Sequence, residues 1–475
     1  MTVPSYEFLG FAAIVAILIN LSTAPKWRRL VFLVANVLFV ASFTLDPRQL
    51  FPFAGMLALG FASIKFVQVR KSGAGFAALL VAFVALFCWL KSYAFIPHGW
   101  LLPFPYFVIG MSYVFFRVMH LIIDAFQDAL PDRVDLLSYL NYTLNFTTLT
   151  SGPIQFYRDY RRAESDDLPS LSANDMLRGA SRIVVGFFKV SIISPILSSA
   201  HASSVALLGG GLGPVDRAVD AAFMTAIFPV YLYYNFSGYT DFVIGVATFL
   251  RLTLPENFNN PFVAEGFIDF WGRWHITLAT WVKTYIYNPI AISLMRRAPS
   301  RRSEGYISVI AYFVAFFFVG IWHGQTTSFV FLGFMLALGV SVNKLYQIVM
   351  IARLGRPRYR ALCGSAVYAA LSRGLTFTWF SVSSLWFWCT WPQVQAILAS
   401  LTAPGAVLAL VLLFASATVL LAALRALDVT VRTAGAPFLN SAIAKTAWYT
   451  FLCAMIVSAT IVLQAPAPHI VYRGF

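Results

Sequence analysis

Uninterrupted apolar runs, rather than an alternation of apolar and polar positions, dominate this chain. They cover residues 6–22, 30–45, 50–69, 76–96, 103–123, 180–200, 219–250, 305–322, 326–350, 366–389, 402–424 and 444–464. Most reach the roughly 17–25 residues that a helix needs to cross hydrocarbon at about 1.5 Å per residue. The polar connections are too short to fold alone. The pattern therefore predicts an all-α polytopic membrane protein, a bundle of about 11–12 transmembrane helices forming a single membrane-embedded domain over 1–475. Two stretches break it. Residues 125–178 carry mixed charge around "SGPIQFYRDYRR", and residues 255–302 are too aromatic for a solvated loop and too basic for a span. Re-entrant or interfacial helices fit both, because irregular backbone at membrane depth must be covered by protein. Neither a fixed-period repeat nor the paired broken helices of an inverted-repeat transporter is visible.

Composition agrees: 59% hydrophobic and 11% charged residues exclude a soluble globular domain. The first run lacks a basic leader and a small-residue cleavage site, and Lys26, Arg28 and Arg29 follow it, so it reads as a retained span. Cys88, Cys363, Cys389 and Cys453 show neither a disulfide nor a zinc pattern, and no metal site is expected. Lys and Arg cluster at 26–29, 70–71, 158–162, 296–302, 353–360 and 425–445, whereas loops such as "IPHGW" and "LLGGGLGPVD" nearly lack them. The positive-inside rule then puts both termini on the outer, periplasmic face of a multi-pass protein of the bacterial plasma (inner) membrane. The net charge of +15 gathers on the inner face. It suits membrane lipids, a nucleotide-bearing thioester or an acidic carrier protein, and the absence of a groove-reading motif argues against nucleic acid.

Candidate chemistry concentrates in three places. His323, one of six histidines, stands between apolar runs in "GIWHGQTT" beside Trp322, Gly324 and Gln325. About nineteen residues separate it from Glu304, roughly 28 Å of helix, which puts it in the outer half of the bilayer. An ionisable group at that depth is expensive, and an imidazole with an ordinary pKa near 6.5 is suited to take a proton from a hydroxyl. The alternative is a structural histidine bonded to a neighbouring helix. In the second broken stretch Trp271, Trp274, Trp281 and Tyr285 alternate with Arg273, His275 and Lys283. These residues read either as an interfacial helix anchored by indoles or as the lining of a cavity mouth on the inner face. Finally, residues 465–475, "APAPHIVYRGF", place a phenol at Tyr472. Snorkelling of Tyr472 and Arg473 accounts for this by position alone; a relay requires that the phenol meet a reactive partner such as His323.

These motifs support a resemblance. "DFWGRWHITLATWVKTYIYNPI", with "GIWHG" placing His323 48 residues after His275, resembles the membrane-bound O-acyltransferase (MBOAT) family. Its bacterial branch, which includes alginate O-acetylases and the protein that transfers D-alanine to teichoic acid, is the better match. The resemblance covers about residues 100–350, the expected catalytic core, with the terminal hexapeptide in addition. It implies that His323, His275 and Tyr472 are catalytic, with His323 the histidine of the Trp-His-Gly motif, His275 the histidine after Arg-Trp, and Tyr472 carrying the acyl group as an ester. Donor contacts then fall on Trp322, Gly324, Gln325, Trp271, Arg273, Trp274 and Lys283. The donor is a cytoplasmic thioester, acetyl-CoA or an acyl carrier protein, reaching His323 by a channel from the basic face, with no tightly bound cofactor. The chain contains no G-x-S-x-G element, so the resemblance implies an outward-facing esterase-like acyltransferase as partner, finishing transfer to a polysaccharide hydroxyl. Leu336 and Ala337 stand where many alginate-type members carry His-Gly. D-alanyl transfer stays open as an alternative, and so does a polysaccharide or lipid transporter using Asp124 and Asp241.

Overall fold

The computed structural model describes residues 1–165, 171–434 and 441–463. Its helices are α1 (Tyr6–Asn20), α2 (Pro25–Ala41), α3 (Pro47–Val69), α4 (Gly73–Leu90), α5 (Met111–Phe126), α6 (Leu136–Thr143), α7 (Tyr157–Ser165), α8 (Ala173–Phe188), α9 (Ser194–Leu207) and α10 (Pro214–Phe249). They continue with α11 (Phe267–Trp271), α12 (Ile276–Val282), α13 (Asn288–Arg297), α14 (Arg301–His323), α15 (Thr327–Cys363), α16 (Ala366–Ser383), α17 (Leu385–Trp388), α18 (Trp391–Ala434) and α19 (Ala442–Leu463). Local chemistry sets many starts. Ser5, Asp46, Ser72, Asp135, Ser172 and Ser300 each accept a backbone N–H of the first turn, and Pro25 and Pro47 open their helices where no N–H is needed.

Among the described residues, seven helical stretches are long and apolar enough to span a membrane. The difference from the dozen apolar runs has a physical cause. In the run 103–123, two prolines and the left-handed Gly110 (φ 74°) keep the first part non-helical, and α5 begins only at Met111. That helix is apolar because it is buried on nearly every side, not because it faces lipid. The run 180–200 carries a π-helical turn at Lys189–Ile193 and stays one of the seven, within 173–207.

The chain divides into two compact units. The first comprises residues 1–191, 235–256 and the chain from Leu452. Here the polar segment 141–155 is buried throughout, which is tolerable only because its backbone is answered from inside. Arg117 on α5 donates to the carbonyls of Thr143 (2.8 Å) and Thr148 (2.8 Å), and Ser151 N–H donates to the Tyr239 hydroxyl (3.2 Å). Asp241 accepts from Arg182 (2.8 Å) and Lys189 (2.7 Å), and Arg182 also reaches Glu256. Asp241, a candidate for a transport path, thus sits as counter-ion in a fixed ion cluster.

The second unit comprises residues 192–234 and 257–451. Its centre is the antiparallel hairpin of α14 and α15. A Cβ on Gly320 would stand 2.0 Å from the Cα of Gly333, so the two helices touch backbone to backbone. At the turn, a Cβ on Gly324 would stand 2.1 Å from the Phe329 ring. These two glycines place the end of α14, and with it His323. The aromatic stretch 255–302 becomes the short helices α11–α13, with α11 and α12 against α15 and α14 respectively.

Candidate active site: a buried histidine pair

The site begins with a backbone clasp. Asn259 N–H donates to the Arg273 carbonyl (2.9 Å), Ile276 N–H donates to the Asn257 carbonyl (3.0 Å), and Phe258 pairs opposite Trp274. The clasp returns the chain after α11 so that His275 caps α12 in the left-handed conformation, φ 45° and ψ 51°. Such a backbone costs of order 1 kcal/mol outside glycine. Packing opposes its release: Trp274, 1% exposed, lies among Phe258 (5.3 Å), Phe270 (5.6 Å) and Phe380 (4.9 Å).

The clasp also fixes a proton. Oδ1 of Asn257 accepts from Thr277 N–H (3.2 Å) and from the Thr277 hydroxyl (2.9 Å), and it lies 3.1 Å from Nδ1 of His275. A backbone N–H can only donate, so this atom of Asn257 is the oxygen, and His275 Nδ1 must carry the hydrogen that points at it. The neutral ring is then the Nδ1–H tautomer, with the lone pair on Nε2. Complete burial, with the His323 ring close enough to add like charge, holds the His275 imidazolium well below histidine's ordinary range. The ring is therefore neutral and, at Nε2, an acceptor only.

His323 ends α14, 3% exposed, with ring centroids 4.8 Å from Trp322 and 5.3 Å from Phe387 on α17. The His323 ring is near enough to act on His275 as a neighbouring charge, so two histidines 48 residues apart in sequence lie in one buried region. Both rings are buried, His275 at 0% and His323 at 3% exposed, and Trp322 and Phe387 pack on His323.

The remaining candidates divide. Trp322, Trp271 and Trp274 are buried, and Trp271 packs on Phe316 of α14 (4.9 Å) with its Nε1–H unpartnered among the described residues, a donor available to a carbonyl oxygen. Gly324 forms the turn. Gln325 and Lys283 are exposed, and Arg273 is engaged with Asp269 (2.9 Å), so the structure does not gather these three around the pair. Tyr472 lies outside the described residues. Asn257, Thr277 and Phe387 escape a reading of the sequence. Asn257 in "PENFNNP" announces itself only as a polar residue in an aromatic stretch.

The family model for the membrane-bound O-acyltransferase family matches residues 30–384. The chain is 27% identical over 274 residues to a teichoic acid D-alanyltransferase of Bacillus subtilis, covering 56% of this chain and 67% of that protein. It is 23% identical over 407 residues to a probable alginate O-acetylase of Pseudomonas aeruginosa, covering 80% and 74%. A peptidoglycan O-acetyltransferase of Helicobacter pylori is 29% identical over 217 residues, 44% of this chain and 38% of its own length.

Proposed function

The chain belongs to the membrane-bound O-acyltransferase family, and from that premise we propose that it takes an acyl group, foremost acetyl, from an inner-face thioester and delivers it outward for O-acylation of an envelope or extracellular polysaccharide. The observation that carries this reading is the convergence of His275 and His323, two buried imidazoles from separate motifs, one of them restricted to accepting at Nε2. His275 cannot donate to an oxyanion in this tautomer. His275 supports the site as a neutral acceptor, and His323 is the ring that meets the attacking hydroxyl.

His323 removes the hydroxyl proton as the oxygen attacks the thioester carbonyl. A C–O bond forms, the C–S bond breaks, and the imidazolium returns the proton to the departing thiolate. The attacking hydroxyl is the phenol of Tyr472. Its ordinary pKa near 10 makes it easier to deprotonate than a sugar hydroxyl, and the aryl ester is readily passed on. A membrane-anchored, esterase-like partner on the outer face completes transfer to the polymer. The second reading, D-alanyl transfer from an acyl carrier protein, draws on the resemblance to D-alanyltransferases.

The test supplies proteoliposomes with labelled acetyl-CoA or D-alanyl carrier protein and follows the C-terminal peptide by mass spectrometry, without any partner. An acetyl adduct on Tyr472 that is absent from Tyr472→Phe supports the proposal. A D-alanyl adduct selects the second reading, and a bare peptide with both donors rejects the relay.

Phe387 offers a check on acyl size. Because its ring packs on His323 at 5.3 Å, Phe387→Ala opens space beside the reacting group. The ratio of butyryl to acetyl transfer is expected to rise about tenfold, the scale at which one or two methylenes are discriminated. An unchanged ratio in a well-folded variant places the acyl chain elsewhere.

A further inference from the structure

We infer that an apolar cavity in the second unit, opened by a bend in α18 and lined by that helix, α10 and α17, holds one acyl chain of a membrane phospholipid. The inference stands on the cavity alone and is independent of the acyl-transfer chemistry.

The bend lies at Thr402, where φ 61° and ψ 164° put a β-branched residue in a region of backbone space that belongs to glycine, and Pro404 follows. Both arms of the bent helix line the cavity, Ile397, Leu398 and Leu401 before the bend and Ala406, Ala409 and Leu413 after it. Ala221, Ala222 and Thr225 of α10 form another wall, and Leu385 and Trp386 of α17 complete it. The cavity measures about 180 Å³. An engineered apolar cavity of about 150 Å³ stays dry and takes up benzene. Water therefore does not fill this one either, and only hydrocarbon recovers the packing contacts that the strained bend gives up.

The surface around the mouth identifies that hydrocarbon. Leu398 and Leu410 belong to the lining and are nevertheless 56% and 48% exposed, so the cavity opens on the outside of α18. Among the described residues α18 is the most apolar of the seven candidate spans, and most of it is exposed, as a lipid-facing helix is. The mouth is thus continuous with the surface that meets acyl chains in the membrane. Trp391, which opens α18, and Trp386 in the wall both pack on Phe331 (5.3 and 4.4 Å), and indoles gather at the headgroup level of a bilayer. A phospholipid whose headgroup lies by these indoles runs one chain along α18 and into the cavity.

The experiment uses proteoliposomes of phosphatidylethanolamine and phosphatidylglycerol that carry a small, varied fraction of phosphatidylcholine with a photoreactive diazirine in mid-chain. Adducts are mapped by mass spectrometry after irradiation. Ala221, Ala222 and Thr225 are buried, so only a chain inside the cavity reaches them. Wild type is expected to carry adducts on these α10 residues, with a yield that saturates as the probe fraction rises. Ala409→Phe, which fills the cavity, should lower that yield about tenfold, the low end of what overpacking a site costs. Leu420→Phe, on the exposed side of the same helix, should leave it unchanged. Adducts confined to exposed residues of α18, a yield that rises in proportion to the probe, or equal labelling of a folded Ala409→Phe protein overturns the site and leaves only bulk lipid. Should Ala409→Phe fail to fold, Ala222→Leu fills the cavity from α10, with adducts read on the buried Leu413.

Discussion

Replacing His323 with alanine is expected to lower acyl transfer by about 10² to 10⁴, the usual worth of a positioned general base. The proposal gives that ring the one proton transfer the reaction cannot dispense with, because neither a phenol nor a sugar hydroxyl is appreciably ionised at neutral pH. The fold should tolerate the change. His323 is the last residue of α14, and the hairpin that positions it is held by the backbone contact of Gly320 with Gly333, not by the imidazole. The measurement is the rate of acyl transfer per mole of membrane-inserted protein, with thermal stability followed in parallel. A loss concentrated in kcat at near-constant KM identifies a group acting in the transition state. Wild-type turnover by a folded His323→Ala protein would remove the imidazole from the mechanism. His275→Ala should fall as well, and the double variant should be little worse than either single one if the rings act as one unit.

How far the sequence discloses this arrangement differs from residue to residue. His323 is readable because an ionisable group between two apolar runs has few explanations, and the spacing from His275 adds a motif. The helical class is equally plain from the runs. Helix boundaries are less so, since apolarity alone does not separate a lipid-facing span from a helix buried in protein. The run at 103–123 is both loop and core helix, and Lys189 is tolerated inside another run because its ammonium pairs with Asp241, 52 residues away. Arg273 and Lys283 look like donor contacts by proximity to His275 in sequence. In the structure Arg273 turns back to Asp269, its i−4 neighbour, a pairing that helical spacing permits. Phe387 carries no signal at all. It arrives beside His323 through the packing of α17 against α15, a long-range contact that no local pattern encodes.

Asn257 shows most clearly what lies beyond a linear reading, and it carries the second prediction. Its tie to His275 exists only because the chain turns left-handed at His275 and the clasp brings residue 257 opposite. As a positioning residue it touches no substrate; it fixes which nitrogen of His275 bears hydrogen. Asn257→Leu removes the acceptor, allows the tautomers to exchange, and is expected to cost about 10² to 10⁴ in rate, the scale of a wrong-tautomer histidine in other catalytic dyads. Asn257→Asp separates this role from simple packing. The carboxylate still accepts from Thr277 and from His275 Nδ1–H, and it also stabilises the imidazolium. In the wild type, burial and the His323 ring hold His275 neutral well into acid, so this ring does not limit the rate as pH falls. With aspartate the folded-state pKa of His275 rises, the neutral form is lost earlier on acidification, and the acid limb of the rate profile should move upward by about one pH unit or more, with activity recovering toward alkaline pH. Profiles of kcat from about pH 4 to 9 for wild type and both variants decide the matter, reading where activity falls on acidification. Equal losses in the two variants with an unshifted limb would mean that Asn257 only packs the clasp and leaves the proton on His275 to be fixed by another group.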